Sequence, residues 1–232
     1  MLPAMQTGQS CRWHVLPSAD ALARAATDKI LHAARLAIAR GGAFHIVLAG
    51  GGTPRRIYRD LSRTAADWSR WHVWFGDERC LPADAAERNS RMAADAWLDQ
   101  VPIPPAQVHA IPAELGATAA AAAYARTLAG RGDFDLVLLG LGEDGHTASL
   151  FPGHDWGVAA TAPDALAVFD APKPPPERVS LSAHRLSATR ELLFLVSGAG
   201  KRLAVADWRA GADIPAAAIA PAGGVDILLD FS

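Results

Sequence analysis

The sequence predicts an α/β protein: a mostly parallel sheet with helices on both faces. Three observations carry this. Short β-rich runs alternate with helical stretches along the chain, the pattern of βαβ units. One run, Phe134-Asp135-Leu136-Val137-Leu138-Leu139, is almost continuously apolar, as a central parallel strand covered on both faces has to be. Several runs end on glycine or charge, the chemistry that turns a strand into a loop or helix. Hydrophobic residues make up 50% of the 232 and charged residues 20%, enough apolar material for a substantial core. No repeat and no obvious linker interrupts the pattern, so a single domain over residues 1–232 is expected.

The elements follow in order. Residues 18–40 form a long helical pattern closed by Gly41-Gly42, a helix stop. Residues 44–49 read as a buried strand ending in Gly50-Gly51-Gly52. The next helix is predicted to open with Thr53 at the N-cap and Pro54 at the first helical position, where both types are favoured. Ile57 and Leu61 mark its buried face. Trp71-His72-Val73-Trp74-Phe75 is a strand ending in Gly76-Asp77-Glu78-Arg79, followed by a helix over residues 89–98. A short strand over 108–111 precedes an alanine-rich helix to Leu128. The central strand ends in Gly140-Leu141-Gly142-Glu143-Asp144-Gly145-His146. Residues 165–169 read as a strand, 172–176 as a proline-rich loop and 178–181 as extended. Residues 192–197 form a strand before a helix carrying Lys201, and 225–229 a last strand. The succession corresponds to a doubly wound, Rossmann-like arrangement.

Charge and cysteine content narrow the function classes. Twenty-two Lys and Arg against 24 Asp and Glu give a formal net charge of −2, without the basic excess of a nucleic-acid or polybasic membrane surface. No run approaches the roughly 20 apolar residues of a spanning helix. The first six residues lack the basic and apolar regions of a secretory leader. Cys11 and Cys80 are the only cysteines, too few for a disulfide framework or a multi-cysteine zinc site, and a reduced, cytoplasmic setting is expected.

In open α/β sheets ligands bind beyond the carboxyl ends of the strands. Three such ends carry Gly50-Gly51-Gly52-Thr53, Asp77-Glu78-Arg79 and Asp144-Gly145-His146, which together suggest one mouth. The Gly50 to Thr53 loop suits an anion, through close backbone N–H groups and a helix N-terminus; an ordinary tight turn has the same spacing. Gly140, Gly142 and Gly145 imitate a dinucleotide fingerprint, but Phe151-Pro152-Gly153 breaks the chain too soon for its crossover helix. His146 follows a strand end and a glycine pair beside Asp144, which makes it the general acid/base candidate. Asp144, His146 and His154 lack a supporting cluster, so no metal is expected. Arg79, Arg178 and Lys201 read singly as surface charges; converging on the Gly50 loop, they would complete a phosphate cradle.

Ala49-Gly50-Gly51-Gly52-Thr53-Pro54, Trp74-Phe75-Gly76-Asp77-Glu78-Arg79 and the stretch from Asp144 to Gly153 resemble the 6-phosphogluconolactonases. Asn89, Glu177-Arg178-Val179-Ser180-Leu181, Gly198 before Lys201 and Ile214-Pro215 fit the same pattern. The resemblance implies hydrolysis of a phosphosugar lactone, 6-phospho-D-glucono-1,5-lactone, without a metal or organic cofactor. By the same resemblance His146 would activate water, and Asp144 would orient or polarise His146. Gly50, Gly51, Gly52, Thr53, Arg178 and Lys201 would hold the phosphate, with Arg79 on the sugar or the phosphate. A monomer or weak homo-oligomer is expected. Asp77 and Glu78 are open between a structural and a catalytic role. Two positions depart from the family: Gly52 and Arg88 stand where serines are usual.

Two rival functions belong to similar folds. A glucosamine-6-phosphate isomerase/deaminase carries a ring-opening glutamate where this chain has Phe151. A phosphosugar-sensing effector domain of a transcription regulator carries a DNA-binding module in front, for which the short segment before the first helix is not expected to leave room.

Overall fold

The computed structural model describes residues 9–232; the segment read above for a leader lies outside them. Strand β1 (Cys11–Val15) leads into helix α1 (Ala19–Gly41), strand β2 (Phe44–Leu48) and helix α2 (Gly52–Leu61). Strands β3 (Trp71–Phe75) and β4 (Asp77–Arg79) precede helix α3 (Asn89–Ala96), strand β5 (Val108–His109) and helix α4 (Ala117–Leu128). Strands β6 (Phe134–Gly140), β7 (Ala165–Val168) and β8 (Arg178–Leu181) follow, then helix α5 (Ala183–Ser187). Strand β9 (Thr189–Ser197), helix α6 (Arg202–Arg209) and strand β10 (Val225–Asp230) complete the order.

Seven strands form one sheet in the order β1-β10-β9-β6-β2-β3-β5, and every pairing in it is parallel. The apolar run β6 sits at its centre with Leu136 to Leu139 buried. Register puts Val47, Val137 and Trp74 on one face, where Trp74 meets Tyr124 of α4 and Phe194 meets Trp208 of α6. On the other face Phe44 and Trp71 pack edge to face at 4.7 Å, and Trp71 meets Trp97 beyond α3. Helices therefore cover both faces, as predicted.

Four expectations need correction. β7 and β8 do not extend the parallel sheet: with β4 they form a separate three-stranded antiparallel sheet in the order β4-β8-β7. A single residue, Gly76, separates the end of β3 from the start of β4, so the chain changes sheets there, and the Gly76 carbonyl accepts from Leu181 N at 2.7 Å. Second, α2 starts two residues early. Gly51 is its N-cap at φ 107°, a conformation that favours glycine, so Thr53 and Pro54 occupy the second and third helical positions. Proline is tolerated there because that N–H has no helical acceptor. Third, Lys201 ends a single 3₁₀ turn, Ala199–Lys201, that leads into α6 rather than lying within a helix. Fourth, β5 is only two residues long. Helix α1 matches its prediction at both ends: the Ser18 hydroxyl accepts from Ala21 N at 3.2 Å, and Gly42, at φ 79°, donates to Ile38 O at 2.8 Å.

Candidate active site

From β2 the chain proceeds through β3 to β5 on one side, then returns to β6 on the other side of β2. A crevice at that reversal, beyond the strand ends, is where an open α/β sheet holds its ligand. A cavity of about 360 Å³ lies there, lined by residues following β2, β3 and β6. Gly50, Gly51, Arg79, His146, Arg178 and Lys201 all line it, so the separate loops do converge on one mouth. Gly52 and Thr53 stand behind it, in the first turn of α2.

The candidate base, His146, is held in a tight loop after β6. The Asp144 carboxylate accepts from His146 Nδ1 at 2.5 Å and from the His146 amide at 3.2 Å. Partial burial pushes the Asp144 carboxyl up, but these hydrogen bonds outweigh it and hold it below the usual carboxylate value. With Nδ1 donating, Nε2 keeps its lone pair, and no protein group among the described residues hydrogen-bonds it. Phe151, fully buried, packs 4.9 Å from the imidazole ring and fixes its other side. Gly142 permits the arrangement, because a Cβ there would lie 2.6 Å from Asp144 Oδ1 and closer still to His146 Nδ1. Ala148, at φ 48°, carries the chain out of the loop in the left-handed region, a conformation uncommon outside glycine and a mark of strain at functional sites.

The opposite wall is cationic. Arg79 of β4 and Arg178 of β8 are direct partners in the antiparallel ladder. Like charges facing each other across strands are unfavourable, and an anion between them removes the penalty. Burial lowers the Arg178 pKa, and Arg79 lowers it further against the opposing pull of Asp77. Arg79, Arg178 and Lys201 form no salt bridge among the described residues. The α2 N-terminus adds free N–H groups and positive potential at Gly51.

The structure gives contacts to four residues whose roles the sequence leaves open. Asn89, buried, donates through Nδ2 to the Asp77 carbonyl and to Asp77 Oδ1, each at 3.0 Å, and its amide packs directly against Gly50. Asp77 lines the cavity, and its other oxygen accepts from the Ser149 hydroxyl at 2.6 Å; burial raises its pKa. Glu78 is structural. Its carboxylate accepts from the amides of Asn89 at 2.7 Å and Ser90 at 2.8 Å, capping α3. Arg88 is also structural: only 3% exposed, it meets Glu114 and the Ile111 carbonyl, each at 2.7 Å. Among the described residues no three His, Cys, Asp or Glu side chains are placed to share a metal ion.

Comparison with known proteins bears on this geometry. The family model described as glucosamine-6-phosphate isomerases/6-phosphogluconolactonase matches residues 17–228. A 6-phosphogluconolactonase of Mycobacterium tuberculosis is 42% identical over 220 residues, covering 88% of this chain and 89% of that protein. One from Streptomyces coelicolor is 40% identical over 211 residues, covering 83% and 80%. The crystal structure of 6-phosphogluconolactonase from Thermotoga maritima superimposes with a TM-score of 0.87 at 25% identity, covering 95% of this chain and 100% of that one.

Proposed function

We infer the reaction from one premise: the chain belongs to the glucosamine-6-phosphate isomerase/6-phosphogluconolactonase family. It hydrolyses 6-phospho-D-glucono-1,5-lactone to 6-phospho-D-gluconate, in the oxidative pentose phosphate pathway. The observation that carries the mechanism is the Asp144–His146 pair, with its unpaired Nε2 on a cavity walled by cations.

Arg178 and Lys201, with the Gly50-Gly51 amides and the α2 terminus behind them, hold the 6-phosphate; Arg79 contributes to the same anion site. Gly52 and Thr53 act through that helix end. His146 Nε2 takes a proton from water as its oxygen bonds to the lactone carbonyl carbon. The tetrahedral adduct collapses, the bond to the ring oxygen breaks, and the imidazolium returns the proton to that oxygen. Asp144 stabilises the imidazolium and holds the tautomer. A δ-lactone is an activated ester, so positioning plus one general base, worth roughly 10²–10⁴-fold, suffices.

The isomerase reading lacks its carboxylate: Phe151, an apolar ring packed on His146, occupies that position. Lactone generated in situ from glucose 6-phosphate, with glucosamine 6-phosphate as control, separates the two. The account expects accelerated lactone loss and no ammonia release; the opposite pattern overturns it. Arg178→Ala and Lys201→Ala should mainly raise KM.

We place the enzyme in the cytoplasm, as a monomer or weak homo-oligomer. Two free cysteines and the absence, among the described residues, of a helix long and apolar enough to cross a membrane support the first. A site assembled from one chain's loops supports the second.

A further inference from the structure

The loop between β7 and β8 carries a cation that the mechanism above does not use. Lys173 is exposed yet lines the same cavity as Arg79, Arg178 and Lys201. None of the four forms an ion pair within the described residues, and the one acid in the lining, Asp77, is buried and already bonded to Ser149 and Asn89. Three unpaired cations at one wall already match a phosphate dianion; a fourth on a movable stem adds reach to it.

The loop is built to hold that position. Prolines occupy positions 172, 174, 175 and 176, each fixing its own φ. Arg178 ties the loop down from below: Nη2 donates to the Lys173 carbonyl at 2.7 Å and Nε to the Pro175 carbonyl at 3.2 Å. Ala171 N closes the loop onto the Pro176 carbonyl at 3.0 Å. The guanidinium that faces the cavity therefore also sets where the Lys173 stem begins.

We propose that Lys173 is a further substrate-contacting residue: its ammonium closes over the substrate phosphate from the rim, with Arg178 as the positioning residue that holds its loop. The inference rests on the lactonase reading for the identity of the substrate, but not for the anion site. An ammonium reaching a phosphate from a solvent-exposed rim is worth about 3–10-fold in affinity.

The test uses the full chain, with Lys173→Met, Lys173→Arg and Lys173→Glu measured for lactonase kinetics and for inorganic phosphate binding by calorimetry. Lys173→Met should raise KM about 3–10-fold with kcat within twofold, weaken phosphate by a similar factor and flatten the salt dependence of KM. Lys173→Arg should restore most of the loss, and Lys173→Glu should exceed it. An unchanged KM and phosphate affinity in Lys173→Met and Lys173→Glu, or a fall confined to kcat, overturns the proposal. A wild-type chain that binds phosphate without hydrolysing lactone refutes the lactonase reading and leaves the Lys173 comparison intact. A wild-type chain that binds no phosphate refutes both.

Discussion

Replacing Gly142 with alanine adds one methyl group to the floor of the site. The backbone accepts it, since Gly142 is not among the residues at positive φ, and on that count the change costs nothing or stabilises slightly. The side chains do not accept it. The new carbon would stand 2.6 Å from Asp144 Oδ1 and closer to His146 Nδ1 and Cε1, where carbon requires about 3.5 Å or more. The 2.5 Å bond between Asp144 and His146 has to open, and the imidazole moves by about an ångström. A displacement of that size costs on the order of 10²-fold, and loss of the oriented base up to 10⁴-fold. The cations and the Gly50 loop lie on other strands, so KM should stay within about threefold. Initial rates of lactone loss, with lactone produced in situ, read both constants, and a thermal melt checks folding. A folded Gly142→Ala protein with wild-type kcat refutes the claim that the pair must stay bonded for catalysis.

Three further outcomes follow from the geometry. Gly50→Ala would push against the Asn89 amide, 2.8 Å from its Nδ2 and nearer to its Oδ1; displacing the proposed phosphate loop should raise KM about tenfold or more with a smaller change in kcat, and an unchanged KM in steady-state kinetics contradicts it. Glu78→Ala removes the cap of α3 and strips the fully buried Arg88 of a partner at 3.4 Å; urea unfolding should show a loss of about 3–5 kcal/mol, and a loss under about 1 kcal/mol would sink the structural assignment. His45 is kept neutral by burial and by Arg131, His72 and His109, its pKa lowered to about 3. The unfolded chain takes up that proton near 6.5, so stability is full above about 6.5 and is lost as pH falls between the two values. The melting temperature should drop on acidification through that window, and His45→Gln should shallow the drop; a parallel profile for the variant argues against it.

Much of this architecture is written in local sequence. Ser18 and Gly42 bracket α1 because a hydroxyl cap and a left-handed glycine act within a few residues of the helix they end. β6 is legible because burial on both faces demands an unbroken apolar run. β1 was not identified: Cys11-Arg12-Trp13-His14-Val15 is an edge strand with polar alternate positions, and only its pairing with β10, more than 200 residues away, makes it a strand. β4 escaped for the same reason, since its three residues are held by Arg178, Val179 and Ser180.

The site divides similarly. His146, Asp144 and the glycine loop announce themselves at strand ends. Arg88 looks like a surface charge by residue type, and only the fold buries it between Glu78 and Glu114. Gly52, which stands where a serine is usual, lies outside the cavity lining, behind Gly50 and Gly51 in the first turn of α2. Asn89 is legible as the polar residue that opens α3, but its bonds to Asp77 and its contact with Gly50 depend on the fold.

The central claim is that His146 is the base. His146→Gln keeps a side chain of similar polarity beside Phe151 and Asp144 but holds no titratable nitrogen. Single-turnover lactone hydrolysis and phosphate binding should be measured on the same preparation. The account predicts a rate lowered about 10²–10⁴-fold with phosphate affinity unchanged; a rate near wild type with phosphate still bound would contradict it.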